Sequence, residues 1–331
     1  MPDVVIVDVF PRDGLQAAVH EPALRLPTTA EKADIIAALD AAGVPEIEIT
    51  GFVHPRVIPS LADAEAVAAL ATAAPHRAVL RALVPNLHGA RRALDAGMTK
   101  LAGLVVASET YQRLNANMSV EENLEQLARI KDEGDRRGVA VMVGVGTSFV
   151  CPYEGVVPAE RLLWLVERLV RLGYREVSLA DSVGLAVPAL VRDRVARILD
   201  RWPDLELGLH LHTLAGTALG NAWVAYEAGV RRFEGSVGGI GGGIAMPVHV
   251  TEMANVATED LVYLFEASGV RTGIDQARLT RLAEWVTARV GTGSGRTMSF
   301  GDVATFVGRN RARLAELEAR RPGDSRVAHE P

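Results

Sequence analysis

Residues 174–212 read YREVSLADSVGLAVPALVRDRVARILDRWPDLELGLHLH, and this stretch decides the fold. A short apolar run, Glu176–Leu179, is followed by an amphipathic segment opening on Pro188 and closing near Trp202, and then by a second short run, Glu206–His210. Strand, helix and strand in that order make a parallel βαβ unit. The same alternation recurs on both sides. Strands are expected near Val4–Val9, Glu46–Thr50, Ala78–Leu83, Lys100–Val106, Ala140–Val145 and Arg232–Gly235, in addition to the two just quoted. Helices are expected at Ala30–Ala42, Leu61–Ala73, Gly89–Ala96, Val120–Gly138, Ala159–Leu172, Pro188–Trp202, Gly216–Gly229 and Thr258–Ser268. Glycines at 43, 97, 173 and 229 stand where helix C-caps precede the next strand.

Eight such units within about 270 residues fit an α/β fold of the TIM (β/α)8 barrel type better than an open doubly wound sheet. The expected organisation is a barrel over residues 1–270, an additional C-terminal helical extension over 271–318 (Gln276–Val290 and Ser299–Glu318), and a polar tail, expected to be disordered, over 319–331. The chain has 331 residues, 49% of them hydrophobic, and one cysteine, so it needs no disulfide framework to build a core. A formal charge of -6 disfavours a general binder of nucleic-acid backbones. No apolar run has the length of a membrane span, and Met1–Val9 carries no basic leader, so a cytoplasmic location is expected.

Barrel enzymes place their chemistry at the C-terminal ends of the strands. Those ends carry Arg12, Asp13 and Gln16 after the first strand, Glu48 in the second, Asp181 and Ser182 after the sixth, and His210 and His212 at the seventh. Residues i and i+2 of a strand share a face, which puts two imidazoles about 7 Å apart at Cα and able to close on one cation. A pair of histidines is by itself more often structural. Asp13 from the first strand could complete an N,N,O set suited to magnesium, manganese or zinc. Arg12 is either a surface ion pair or a fixed donor for an enolate or carboxylate oxygen. Glu48 and Asp181 are either ion-pair partners of Arg12 or acid/base groups. The glycine-rich run from Gly235 lacks a Walker lysine and reads as a loop hinge or as slack.

The motifs Pro11-Arg-Asp-Gly-Leu-Gln16, Ile47-Glu-Ile-Thr-Gly-Phe-Val53, Pro85-Asn-Leu87, Ala107-Ser-Glu109, Cys151-Pro-Tyr-Glu-Gly155, Ser178-Leu-Ala-Asp181, His210-Leu-His212 and Ala257-Thr-Glu-Asp-Leu-Val-Tyr263 lie in one order. In that order the chain resembles the 3-hydroxy-3-methylglutaryl-CoA lyase family of metal-dependent TIM-barrel lyases and synthases. The resemblance implies a divalent metal, magnesium or manganese foremost and zinc as an alternative, held by Asp13, His210, His212 and Asn255. It implies that Arg12 stabilises an enolate, with Glu48 and Asp181 as supporting acids and His210 counted among the catalytic groups. Gln16, Asn115, Tyr153, Ser182, Gly243 and His249 complete the expected substrate-binding set. The implied activity is carbon–carbon cleavage of a hydroxyacyl thioester to an acyl-CoA and an oxoacid or ketone, by a homodimer whose partners are small acyl-CoA or hydroxy-acid molecules. A Claisen-type synthase, a CoA-free aldolase and a non-catalytic acyl-CoA or metal-binding homologue are the alternatives.

Two departures bear on mechanism. The family places a cysteine in the glycine-rich loop, where this chain reads Gly239-Ile-Gly-Gly-Gly243, and the sole cysteine, Cys151, belongs to a different motif. The loop is also about three residues longer than the family pattern and carries His249 and Glu252. After the histidines the family has an aspartate and a Tyr-Gly pair, and here the chain reads Thr213-Leu-Ala-Gly216.

Overall fold

The computed structural model describes residues 2–16, 25–242 and 254–291, together with Gly295, Val307, Gly308 and Arg311. Eight parallel strands close into a barrel: β1 (Val5–Asp8), β2 (Glu46–Gly51), β3 (Val79–Leu83), β4 (Lys100–Val106), β5 (Ala140–Gly146), β8 (Glu176–Asp181), β9 (Glu206–Leu211) and β10 (Arg232–Gly235). β1 closes the ring by pairing with both β10 and β2. A two-stranded hairpin, β6 (Val150–Cys151) and β7 (Gly155–Val156), stands apart from the barrel.

Each expected barrel strand is present within a residue or two of its sequence bounds, because the Val, Ile and Leu runs fill the layer between the sheet and the helices. Outward-facing Val143, Val145, Val177 and Leu179 are fully buried there. The covering helices are α1 (Thr29–Ala41), α2 (Ala64–Ala73), α3 (Leu87–Asp95), α5 (Val120–Arg137), α6 (Ala159–Arg171), α7 (Pro188–Arg201), α8 (Ala218–Glu227) and α9 (Thr258–Ala267). Capping boxes start two of them, Thr28 with Glu31 on α1 and Ser119 with Glu122 on α5. Two elements depart from the sequence reading. Helix α4 (Glu109–Ala116) and the β6–β7 hairpin were not expected, since ETYQRLNA has no apolar stripe and buries only Tyr111 and Gln112. Helix α10 (Gln276–Arg289) packs on α9 and α1 and caps its start with Asp275. Of the expected segment Ser299–Glu318 only Val307, Gly308 and Arg311 are described, and they are helical; residues 319–331 lie outside the described residues.

The barrel interior is polar at its N-terminal end. Glu46, Lys100, Glu176 and Arg232 interlock there, with Lys100 Nζ 2.9 Å from Glu46 and 2.7 Å from Glu176. A second cluster sits one layer higher and leads to the mouth.

Candidate active site

Asp13 leaves β1 on a single π-turn, Phe10–Gly14, in which Val9 O accepts from the Gly14 N–H at 3.4 Å and from the Asp13 N–H at 2.7 Å, with Pro11 near its start. That turn aims Arg12 and Asp13 into the mouth together. Across the mouth, His210 in β9 and His212 just after it present their Nε2 atoms 3.0 Å apart. One ligand atom from each of Asp13, His210 and His212 lies within 4.8 Å of the others, and all three residues are buried. Asn255, bridged to His212 through the backbone, donates from Nδ2 to Asp13 Oδ2 at 2.7 Å. Gln16 donates to Asp13 Oδ1 at 2.6 Å.

This donor set fits a divalent cation. The two Nε2 atoms share a hydrogen bond when one ring carries its proton there, and with both lone pairs free they converge on one point, where a carboxylate completes the N,N,O triad. His210 also carries the support that ligating histidines have, with Nδ1 3.1 Å from Glu234 Oε2. Burial works against the Asp13 carboxylate, yet the charges of Arg12, His210 and His212 hold its pKa below the ordinary range. Burial likewise opposes an imidazolium at His210, and the Glu234 hydrogen bond with the Asp13 charge reverses the sign and raises its pKa.

Arg12 joins two carboxylates. Nη1 is 2.5 Å from Asp13 Oδ1, and Nε pairs with Glu48. Glu48 therefore acts on Arg12 as an ion-pair partner, one of the two roles open in the sequence. Its second oxygen meets Arg81 Nε at 2.7 Å, and Arg81 also reaches Glu234 Oε1 at 2.9 Å and Glu46 Oε1 at 3.3 Å. Arg81, 2% exposed, thus links the carboxylate behind Arg12 to the carboxylate behind His210.

Arg12, Asp13, Gln16, Glu48, Asn115, Ser182, His210 and His212 line one cavity of about 490 Å³. Of the described residues, Asp181 and Tyr153 fall outside the cavity lining. Asp181 does not pair with Arg12: it is fully buried, and its carboxylate accepts from the Ala186 N–H at 3.1 Å, which fixes the turn after β8. Burial pushes its pKa up to about 6 despite those backbone donors. Tyr153, 44% exposed on the hairpin, stacks near Tyr111, with ring centroids 6.1 Å apart, and only Tyr111 lines the cavity. Gly243 and His249 lie outside the described residues. Cys151 is buried and donates to Ser108 Oγ at 3.1 Å, so its thiol has a structural contact of its own. The sequence reading missed Glu234 and Arg81. The only signal for either was a charge at an inward position of an otherwise apolar strand, as in Val79-Leu-Arg-Ala-Leu83.

Comparison with known proteins gives the family and the fold. The HMGL-like family matches residues 3–286. (R)-citramalyl-CoA lyase of Chloroflexus aurantiacus is 38% identical over 300 residues, covering 88% of this chain and 92% of that protein. Hydroxymethylglutaryl-CoA lyase YngG of Bacillus subtilis is 37% identical over 288 residues, covering 87% and 93%. Among solved structures, an HMG-CoA lyase from Acinetobacter baumannii in complex with coenzyme A and 3-methylmalate superposes with a TM-score of 0.84 at 33% identity, covering 91% of this chain and 95% of that one. The B. subtilis HMG-CoA lyase superposes at 0.82 and 36%, covering 89% and 97%. By sequence and by fold, the chain belongs to the HMGL-like family.

Proposed function

We propose that this carbon–carbon lyase cleaves a 3-hydroxy-3-methylglutaryl-CoA-like hydroxyacyl thioester by a divalent-metal-dependent retro-aldol (retro-Claisen) step, releasing an acyl-CoA and an oxoacid or ketone. The observation that carries the reading is the convergence of Asp13, His210 and His212 within 4.8 Å beside the Arg12 guanidinium. Asp13, His210 and His212 would hold the ion, with Asn255 against Asp13. Magnesium or manganese suits the set, and zinc is compatible with it. A bound cation polarises the substrate hydroxyl and carbonyl oxygens.

The protein's own residues do the rest. Removal of the hydroxyl proton lets the adjacent carbon–carbon bond break; its electron pair passes to the thioester as an enolate, which then takes up a proton at carbon. Arg12, held by Glu48, supplies a guanidinium donor for the enolate oxygen. Glu234 fixes the His210 ring so that Nε2 faces the reacting oxygens. Gly243 offers no side chain for the proton, and the groups we propose for that transfer are His249 and Glu252 of the same loop, with water or His210 as the alternative. The relatives named as lyases, and the neighbour holding coenzyme A with 3-methylmalate, support a CoA thioester as substrate. A cytoplasmic homodimer completes the proposal, with light scattering on the purified chain as the check on its assembly. Among the described residues no helix is long and apolar enough to cross a membrane.

Incubation with manganese or magnesium and 3-hydroxy-3-methylglutaryl-CoA or citramalyl-CoA tests the reading. We expect metal-dependent release of acetyl-CoA, abolished by Asp13→Ala. Absence of product across both thioesters with either metal overturns it.

A further inference from the structure

The cavity wall has two unlike halves. The half built by β1, β2, β9 and β10 carries Arg12, Asp13, Glu48, His210 and Glu234. The facing half, built by β3, β4 and β5, presents Leu83, Ala102, Leu104, Met142 and Gly144. Leu83, Ala102 and Met142 form a hydrophobic cluster separate from the main core, with Leu104 packed against it. Barrel interiors are ordinarily filled by layers of bulky branched side chains. Here Ala102 and Gly144 occupy inward positions, and the space stays open.

Gly144 is not required by the backbone. It is absent from the glycines with positive φ, and a Cβ built on it would meet Leu104 Cδ1 at 3.5 Å, an ordinary contact. What the glycine contributes is volume. Arg81, the one charge on β3, does not compete for that space, because Glu46, Glu48 and Glu234 take up its donors.

We infer that this half is a recess for an apolar substituent, larger than methyl, on the hydroxyl-bearing carbon of the substrate, with Gly144 as the specificity-determining residue. The inference rests on the lyase reading above. If the hydroxyl, the acyl arm with its carbonyl oxygen and the carboxylate-bearing group are all held at the charged half, the fourth group on that tetrahedral carbon projects across the cavity towards Leu104, Met142 and Gly144. Each methylene buried there should tighten binding by about threefold to fourfold.

The test uses the full chain with manganese and two probes, 2-methylmalate and 2-isobutylmalate, titrated calorimetrically. The quantity read is the ratio of their dissociation constants. We expect the isobutyl compound to bind at least tenfold more tightly to the wild type, the advantage to shrink in Gly144→Ala, and the preference to reverse in Gly144→Val, where the added side chain fills the recess. Equal binding of the two probes by the wild type, or a ratio unchanged in Gly144→Val, overturns the recess. Thioesters bearing the same two substituents separate this result from the lyase reading. Turnover of the methyl thioester with the isobutyl one rejected sinks the recess alone. Tighter isobutyl binding without turnover of either thioester sinks the lyase reading and leaves the recess standing.

Discussion

Glu234 and Arg81 show how much of the site lies behind the residues that face the cavity. Glu234 is buried, and although burial favours its neutral form, the Arg81 charge and the His210 hydrogen bond hold its pKa well below the carboxylate range. It is thus an anion placed to fix one tautomer of His210. Glu234→Gln keeps the shape and removes the charge; we expect affinity for manganese to fall roughly 10–100-fold, read by titration, with the circular dichroism spectrum unchanged. Arg81 answers a different question. Arg81→Met would leave Glu46, Glu48 and Glu234 buried with a cation missing, and a loss of about 3–5 kcal/mol in urea unfolding is expected. For the proton route through the loop, whichever of His249 and Glu252 carries the proton should, on replacement by Ala, lower kcat by roughly 10²–10⁴-fold with KM little changed. An unchanged kcat in both variants would return that step to water or His210.

At the scale of elements, the turns after the strands do the positioning. The turn after β8 is fastened by Asp181 and passes close under the end of β9. Gly184 there has φ +71, and a Cβ would come 2.6 Å from Leu214 N and 2.7 Å from the His212 carbonyl carbon. Gly184→Ala therefore combines an unfavourable backbone angle with a clash against the chain that carries His212. We expect a loss of about 1–3 kcal/mol in stability, measured by the urea midpoint, together with weaker metal binding. Elements were legible in the sequence in proportion to their apolar patterning. The eight strands and their covering helices announce themselves because each has a face to bury. α4 and the hairpin do not, since polar capping and the contacts of Gln112 hold that region: its Oε1 accepts from Val106 N at 2.8 Å.

For the molecule as a whole, two linkages should be measurable. A cation at a hundredfold its Kd adds about 2.7 kcal/mol to a folded state that alone binds it, so manganese should raise Tm and a chelator should return it. The second linkage is to pH. Glu259, at the start of α9, is buried against the Gly238 N–H, and burial, reinforced by the nearby Asp260 and Asp8 charges, pushes its pKa up to about 8 from 4.5. Below the lower value both folded and unfolded chains are protonated there. Between the two only the unfolded chain ionises, so this contribution to stability is lost as pH rises through the window. Asp8, raised by burial to about 6, acts in the same direction. The slope of Tm between pH 5 and 8 should be flatter in Glu259→Gln than in the wild type; an identical slope would remove Glu259 from the account.

The sequence by itself determined the barrel, because the strand and helix periods are local and repeat along the chain. It also determined that strand ends carry Arg12, Asp13, Glu48, His210 and His212, and alternation along a strand puts His210 and His212 on one face, whereas the turn after β1 is what aims Arg12 and Asp13 together. Only the tertiary structure decided how those groups are paired. That Glu48 serves Arg12, that Arg81 ties Glu48 to Glu234, and that β3–β5 leave an apolar recess depend on contacts across the closed barrel, the Arg81 pairs spanning 33 and 153 positions, while Asp181 turns to a backbone N–H only five residues on. Such contacts are set by ring closure and side-chain packing, and neither leaves a periodic trace in the chain.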